Sequence, residues 1–175
     1  MSADDAAAFD ALAADLARRF DTVIEPVRVV GARADATFEI LRPASAEALI
    51  DEAAFDRDER LPYWADVWPS ARVLAARVLA ADGRGCSLLE LGCGSGVVAA
   101  AAARAGFAVT ATDYYEEALE FTRVNVWRAA RVACAARHVD WRAMPDDLGR
   151  FDRVVASDVL YERPYAALDA RAIAG

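Results

Sequence analysis

The N-terminal part of the chain shows helix-type and then strand-type spacing of its hydrophobic residues. Large apolar residues recur every three or four positions over residues 4–20, which predicts an amphipathic helix. Residues 27–30 and 37–41 are β-type runs joined by GARAD, which predicts a hairpin. Ser45 is placed to cap a short helix that ends near Phe55. We therefore expect residues 1–60 to form an extension of helix, hairpin and helix.

The segment LPYWADVWPS, residues 61–70, is aromatic and bounded by prolines, which is typical of a loop. Ser70 is expected to cap a helix that ends near Ala81, before Gly83 and Gly85. Together with the extension, this loop is expected to form a lid over the rest of the chain.

From Cys86 onward, strand-type runs alternate with helix-type runs. Strands are expected over residues 87–91, 108–112, 138–142 and 151–157, and helices over residues 97–104, 116–131 and 163–174. Right-handed crossovers then place helices on both faces of a parallel sheet. The sequence therefore predicts an α/β domain with a doubly wound sheet over residues 61–175.

A glycine-rich turn, ELGCGSG, joins the first of these strands to its helix. Gly92, Gly94 and Gly96 are spaced GxGxG, whereas a dinucleotide-binding turn usually has GxGxxG and a pyrophosphate at the helix N-terminus. Glu90 precedes the turn, and its carboxylate suits a cationic group better than a pyrophosphate. S-adenosylmethionine carries an amino group and a sulfonium, so the turn favours that cofactor. The alternative is a structural turn without a ligand.

Acidic residues also follow the next two predicted strands. Asp113 lies about 20 residues beyond the turn, where a carboxylate can accept hydrogen bonds from two ribose hydroxyls, as it does in NAD-binding proteins too. Asp140 and Trp141 end the following strand, where an acid can accept from an adenine amino group and an indole can pack on the ring. Burial of Trp141 in the core is the alternative.

Composition narrows the class of partner. The 175 residues carry a formal net charge of −8, and all 20 basic residues are arginine. Such a surface repels phosphate backbones, so we expect no nucleic-acid partner. The longest apolar run, about residues 97–103, is far shorter than the roughly 20 residues of a membrane span, and the acidic N-terminus does not resemble a secretory signal. Scattered cysteines indicate reduced thiols and no metal site, so we expect a cytoplasmic protein.

Four stretches together resemble the class I, seven-strand S-adenosylmethionine-dependent methyltransferases: ELGCGSG, TATDYYEEAL, HVDWRA and ASDVLYE. The pairing of LPYWADVWPSARVLA with SDVLYE is similar to the group that contains the electron-transfer-flavoprotein-β lysine methyltransferase and the nicotinamide N-methyltransferase-like bacterial proteins. The resemblance covers residues 61–174. It implies a Rossmann-like sheet with three further strands, so we expect the sheet of this chain to be incomplete at its C-terminus.

The resemblance also implies a role for each candidate residue. The cofactor contacts that it implies, together with Glu90, fall on Trp68, Gly92, Gly94, Gly96, Asp113, Asp140 and Trp141. Asp158 and Tyr161 fall on a DxxY element that faces the substrate nitrogen. The alternatives are an N-cap role for Asp158 and core packing for Tyr161. The [DN]PP[YFW] motif of methyltransferases that act on nucleic-acid amines is absent, because the residues here are DVLY.

The implied activity is S-adenosylmethionine-dependent N-methylation, with protein lysine as the first expected acceptor. A small-molecule amine of the nicotinamide type is the alternative acceptor, and a cofactor-binding remnant without catalysis is the alternative outside enzymes. Without the later strands, the strand over residues 151–157 would form a sheet edge. Because an apolar edge tends to pair with another chain, we expect self-association there.

Overall fold

A computed structural model of the chain describes residues 3–31, 35–50, 61–140 and 143–159, which form two sheets with helices packed against them. Four parts of the sequence predictions lie outside the described residues. They are Trp141, Tyr161, the helix expected over residues 163–174, and the end of the helix expected after Ser45.

The N-terminal part consists of helix α1 (Ala3–Arg19) and an antiparallel hairpin of β1 (Thr22–Val30) and β2 (Asp35–Pro43). The predicted helix and hairpin are confirmed, although both strands are longer than the β-type runs that predicted them. The extra length comes from pairing between the strands, which extends to both ends of the hairpin. Ser45 accepts a hydrogen bond from the Ala48 backbone N–H at 3.2 Å, within a short 3₁₀ helix over Glu47–Leu49.

The second sheet contains four parallel strands: β3 (Ser87–Leu91), β4 (Ala108–Asp113), β5 (Ala135–His138) and β6 (Arg153–Ala156). Helices α2 (Pro69–Leu79), α3 (Val97–Arg104) and α4 (Glu116–Ala130) belong to the same part of the chain. The strand order β5-β4-β3-β6 shows that the chain winds outward in both directions from β3. The predicted α/β class with a doubly wound sheet is confirmed. In such sheets, ligands bind where the winding changes direction, at the carboxyl ends of the strands.

Two local predictions are wrong. The strand expected over residues 138–142 lies earlier, at Ala135–His138, because its alanines pair with β4 despite their low strand propensity. Val139 N then donates to the Asp113 carbonyl, which extends the contact with β4 by one residue. Ser70 does not cap α2, which begins at Pro69 with Trp68 at its N-cap. Proline suits this start because its φ is already helical and its missing N–H needs no partner there.

Helix α3 lies at the centre of the core. Residues 99–102 are alanines with no exposed surface, and Val97 and Val98 are almost fully buried. Small side chains allow the backbone of α3 to approach its neighbours closely, so this helix can be buried all round. The glycine-rich turn before α3 is thereby fixed to the most buried element of the structure.

The hairpin and α1 pack against α4 through specific contacts. The rings of Phe9 and Trp127 stack with their centroids 4.6 Å apart. Asn125 accepts a hydrogen bond from Leu41 N and donates to the Leu41 and Ser95 carbonyl oxygens, all at 2.8–2.9 Å. Since Ser95 belongs to the glycine-rich turn, Asn125 connects β2 to that turn.

In the part of the chain that the structure describes, no helix has the length and apolar character needed to cross a membrane.

Candidate functional site

The turn between β3 and α3 requires glycine at two of its positions for packing as well as for backbone conformation. Gly94 and Gly96 have φ values of +52° and +81°, in the left-handed region. A Cβ atom on Gly96 would lie 2.6 Å from Thr122 Oγ1, and one on Gly94 would lie 3.1 Å from the Trp64 carbonyl oxygen. The glycines therefore let the turn lie directly against α4 and the aromatic loop.

A cavity of about 350 Å³ opens at the carboxyl ends of β3, β4 and β6. Its wall contains six of the residues predicted from the sequence: Trp68, Glu90, Gly92, Gly94, Asp113 and Asp158. Gly96 lies in the same turn just outside the wall. Asp140 is half-buried and follows Val139, which lines the cavity, but Asp140 itself does not line it. The structure therefore brings together the predicted residues of β3, β4 and β6 at one site.

Asp113 ends β4 inside this cavity and is 6% exposed. Its Oδ2 accepts a hydrogen bond from Gly94 N at 2.9 Å, and its Oδ1 accepts one from Tyr115 N at 3.0 Å. Burial raises the pKa of this carboxyl, while the backbone N–H groups oppose that rise by favouring the charged form. Asp113 thus fixes the turn. Its carboxylate has about four lone-pair sites, and the three backbone N–H groups of Gly94, Tyr114 and Tyr115 do not use all of them, so it can also accept from a ligand hydroxyl.

Glu90 is 1% exposed, and its Oε2 has no hydrogen-bond partner among the described residues. Burial raises the pKa of Glu90 well above its ordinary value, and the nearby charge of Asp113 adds to the rise. An unpaired buried carboxylate costs free energy unless a cationic or donor group compensates it. Burial also raises the pKa of the neighbouring Cys93 thiol, and the charges of Asp113 and Glu90 add to the rise. Cys93 therefore carries no thiolate at neutral pH.

Aromatic side chains form another part of the wall. The Trp68 indole donates from Nε1 to the Tyr63 carbonyl at 3.0 Å, and its ring meets the Tyr63 ring edge-on. Trp64 is buried, with its ring 6.2 Å from that of Tyr115 and 5.7 Å from that of Phe121. Trp64 and Tyr115 also line the wall, although neither was predicted from the sequence as a site residue. The signal was present, because both lie in aromatic runs next to predicted site residues.

Asp158 follows β6 with a φ of +58°, and its side chain is exposed at the cavity. Ser70 Oγ donates to Asp158 Oδ2 at 3.3 Å and lies 3.1 Å from Ser157 Oγ. Ser70 therefore connects the first turn of α2 to the end of β6, a contact that its position next to Pro69 did not reveal.

The cavity has a strongly acidic lining. Four carboxylates line it, namely Asp66, Glu90, Asp113 and Asp158, and no arginine lies among the described lining residues. A surface of one sign in a partly enclosed cleft concentrates ligands of the opposite sign. The cavity therefore favours cationic ligands and disfavours phosphates.

Among the described residues, no group of three or more His, Cys, Asp or Glu side chains is placed to hold a metal ion.

Residues 88–172 match a protein family described as "Methyltransferase domain". Over 108 residues the chain is 36% identical to protein N-lysine methyltransferase METTL21A of Mus musculus, a match that covers 54% of this chain and 47% of the relative. It is 31% identical over 119 residues to protein-lysine methyltransferase METTL21E of Mus musculus, a match that covers 59% of this chain and 47% of the relative. The chain spans about half the length of the curated relatives it matches.

The structure is also similar to solved methyltransferase structures. Magnesium protoporphyrin IX methyltransferase from Synechocystis PCC 6803, solved with SAM bound, matches with a TM-score of 0.47 and 21% identity over 71% of this chain and 68% of that chain. Ribosomal protein L11 methylase from Lactobacillus delbrueckii subsp. bulgaricus matches with a TM-score of 0.42 and 28% identity. That match covers 50% of this chain and 45% of the methylase chain. The family match over residues 88–172 and the names of the curated relatives support a class I S-adenosylmethionine-dependent methyltransferase.

Proposed function

We propose that the protein binds S-adenosylmethionine in the acid-lined cavity and methylates an amine nitrogen, with protein lysine as the acceptor. The observation that carries this proposal is the cavity at the carboxyl ends of β3, β4 and β6, with four carboxylates and no arginine in its described wall. The names of the curated relatives, which are lysine methyltransferases, support the choice of acceptor.

The described residues fit the cofactor. The turn at Gly92–Gly96 lets a ligand approach the backbone, and Asp113 has lone pairs for ribose hydroxyls. Glu90 holds a buried carboxylate oxygen without a partner, which suits the amino group or another cationic part of the cofactor. When bound, S-adenosylmethionine would supply a methyl group activated by a positively charged sulfur. We propose Asp140 and Trp141 as the adenine contacts, in keeping with the sequence prediction.

The remaining residues would prepare the acceptor. Free lysine has a pKa near 10.4, so its ammonium must release a proton to the solvent before it can act as a nucleophile. Transfer of the methyl group to the neutral amine would leave S-adenosylhomocysteine as the second product. An aromatic wall such as that of Trp64 and Trp68 disfavours the charged form by desolvation. Asp158, fixed by Ser70, would accept a hydrogen bond from the nitrogen and orient its lone pair, and Tyr161 would complete this side of the site. Most of the rate enhancement would then come from positioning.

Two substitutions are expected to affect different steps. Asp113→Ala should weaken S-adenosylhomocysteine binding by about 10- to 150-fold, because hydrogen bonds to a charged group of roughly 1.5–3 kcal/mol are lost. Asp158→Ala should leave that affinity nearly unchanged and abolish methyl transfer. Titration calorimetry measures the affinity, and radiolabelled methyl transfer to proteins of a lysate or to nicotinamide measures the activity. The chain itself contains no lysine, so it adds no lysine automethylation to the signal.

Asp146→Ala is the matched control for both substitutions, because Asp146 is exposed and lies outside the cavity wall. Transfer at the wild-type rate by the Asp158→Ala protein would contradict the role of Asp158. Transfer to nicotinamide but not to proteins would favour the small-molecule acceptor. Cofactor binding without transfer to either would show a binding protein that is not an enzyme.

A further inference from the structure

One carboxylate of the cavity wall has no role in the proposal above. Asp66 lies between the 3₁₀ helix Tyr63–Ala65 and Trp68, with its side chain exposed at the cavity. Its backbone N–H donates to the Tyr63 carbonyl, so the main chain at this position is held in place. Its carboxylate has no hydrogen-bond or ion-pair partner among the described residues.

Half-buried and exposed acids elsewhere in the structure pair with arginine. Glu25 pairs with both Arg42 and Arg72, and Asp147 pairs with Arg137. The chain has 20 basic residues, all arginine, yet none of those described lines the cavity beside Asp66. Four carboxyl groups surround a space of about 350 Å³, and the charged ones repel one another when no cation is present. Their unpaired arrangement is therefore suited to a cationic ligand.

The position of Asp66 indicates whether it interacts with the cofactor or with the acceptor. Glu90 and Asp113 are buried at the glycine turn, where the cofactor is proposed to bind, whereas Asp66 and Asp158 are exposed. The two exposed acids belong to segments that are connected, because Ser70, four residues after Asp66, donates to Asp158. We therefore place Asp66 on the acceptor side of the cavity, in the segment that leads to the contact between Ser70 and Asp158.

We propose that Asp66 is a specificity-determining residue that attracts the acceptor as an alkylammonium ion before the proton is lost. This inference rests on the proposed function. Tyr63 and Trp68 flank Asp66 in the chain, are 40% and 39% exposed, and offer ring surface to the hydrocarbon stem of such a group. A neutral pyridine amide such as nicotinamide has no positive charge to pair with Asp66 and gains less from it, so the residue selects for lysine.

The test measures equilibrium binding of a small probe, Nα-acetyl-L-lysine amide, to the protein saturated with S-adenosylhomocysteine. Asp66→Asn should weaken this binding by about 3- to 10-fold, since one charge-assisted contact in a partly exposed site is lost. Asp66→Glu should retain most of the affinity. Raising the ionic strength should weaken binding more in the wild type than in Asp66→Asn. The Nε-acetylated form of the probe, which is neutral, should show no difference between the two proteins.

Asp146→Asn is the matched control, because it removes one exposed acid that does not line the cavity. The affinity for S-adenosylhomocysteine, measured on each variant, reports whether the fold is intact. Equal affinity of the wild type and Asp66→Asn for the lysine probe would overturn the role of Asp66 and leave the proposed function standing. No binding of the probe to the wild type would also overturn it. If S-adenosylhomocysteine itself does not bind, the proposed function fails instead.

Discussion

At the scale of single residues, Glu90 should make stability depend on pH. Burial raises its pKa well above the ordinary 4.5, so the folded state binds a proton that the unfolded state releases above that pH. The free energy of unfolding should therefore fall as the pH rises from 4.5 toward the raised pKa, by up to about 1.4 kcal/mol per pH unit. Glu90→Gln should remove this dependence. Urea denaturation of both proteins at pH 5 and pH 7 measures it.

Glu47→Gln is the control for this prediction, because it makes the same change from carboxyl to amide at an exposed position. If the wild type and Glu90→Gln lose or gain stability in parallel between the two pH values, Glu90 is not the group responsible. A ligand cation beside Glu90 would favour the charged form. Ligand binding should therefore lower the pKa of Glu90 and release a proton.

The sequence predicted residues at strand ends better than residues whose role depends on a distant partner. Glu90 and Asp113 follow from the strand–turn pattern, because parallel strands bring their carboxyl ends to one edge. Ser70 was assigned to a helix cap from its neighbours, but its hydroxyl lies against Ser157 and Asp158, 87 and 88 residues away. No local pattern contains that contact. The role proposed for Asp66 likewise depends on which side chains surround it in the folded state.

At the scale of elements, the hairpin and the glycine turn depend on one side chain of α4. Asn125 makes three hydrogen bonds, two to Leu41 of β2 and one to Ser95 of the turn. Asn125→Ala should lower the free energy of unfolding by about 2–4 kcal/mol, because buried backbone groups lose their partners. It should also weaken S-adenosylhomocysteine binding, since the turn is no longer held. Chemical denaturation and titration calorimetry measure the two effects.

Asn125→Asp provides the comparison for this prediction. A carboxylate can still accept from Leu41 N but cannot donate to the two carbonyl oxygens. Its loss of stability should therefore be at least as large as that of Asn125→Ala. Wild-type stability in either variant would show that the three hydrogen bonds do not hold these elements together.

The alternation of strands and helices was predictable because each element has its own hydrophobic period. The boundaries of β5 were not predictable from the sequence, because alanine has a low strand propensity and Ala135 and Ala136 pair with β4 only in the assembled sheet. The length of the hairpin strands was underestimated for a similar reason. Glu25 and Pro26 interrupt the apolar run of β1, yet both are paired across the hairpin.

At the scale of the whole molecule, β6 lies at one edge of the four-stranded sheet in the described part of the chain. Among the described residues it pairs with β3 along one edge only, and Val154 in it is half-buried. We predict concentration-dependent self-association through this strand. Val154→Lys should reduce it, because lysine on an edge strand opposes pairing between sheets. Sedimentation equilibrium measures the association of both proteins.

Val73→Lys is the matched control, because Val73 is 64% exposed and lies in helix α2 and not in a strand. Both lysine variants carry the same added charge, so a general effect of net charge would appear in both. A wild-type chain that remains monomeric at high concentration would contradict the prediction. Equal association of the wild type and Val154→Lys would place the contact elsewhere on the surface.

The placement of the tryptophans gives the molecule optical reporters of its own. Trp64 and Trp68 line the cavity, so a ligand stacked against either indole should change its fluorescence. Trp127 is 4% exposed and stacked on Phe9, away from that wall, and its emission should follow the packing of α1 on α4. Occupancy of the cavity and integrity of the N-terminal packing can therefore be followed separately, without an added dye, by replacing one indole at a time with phenylalanine.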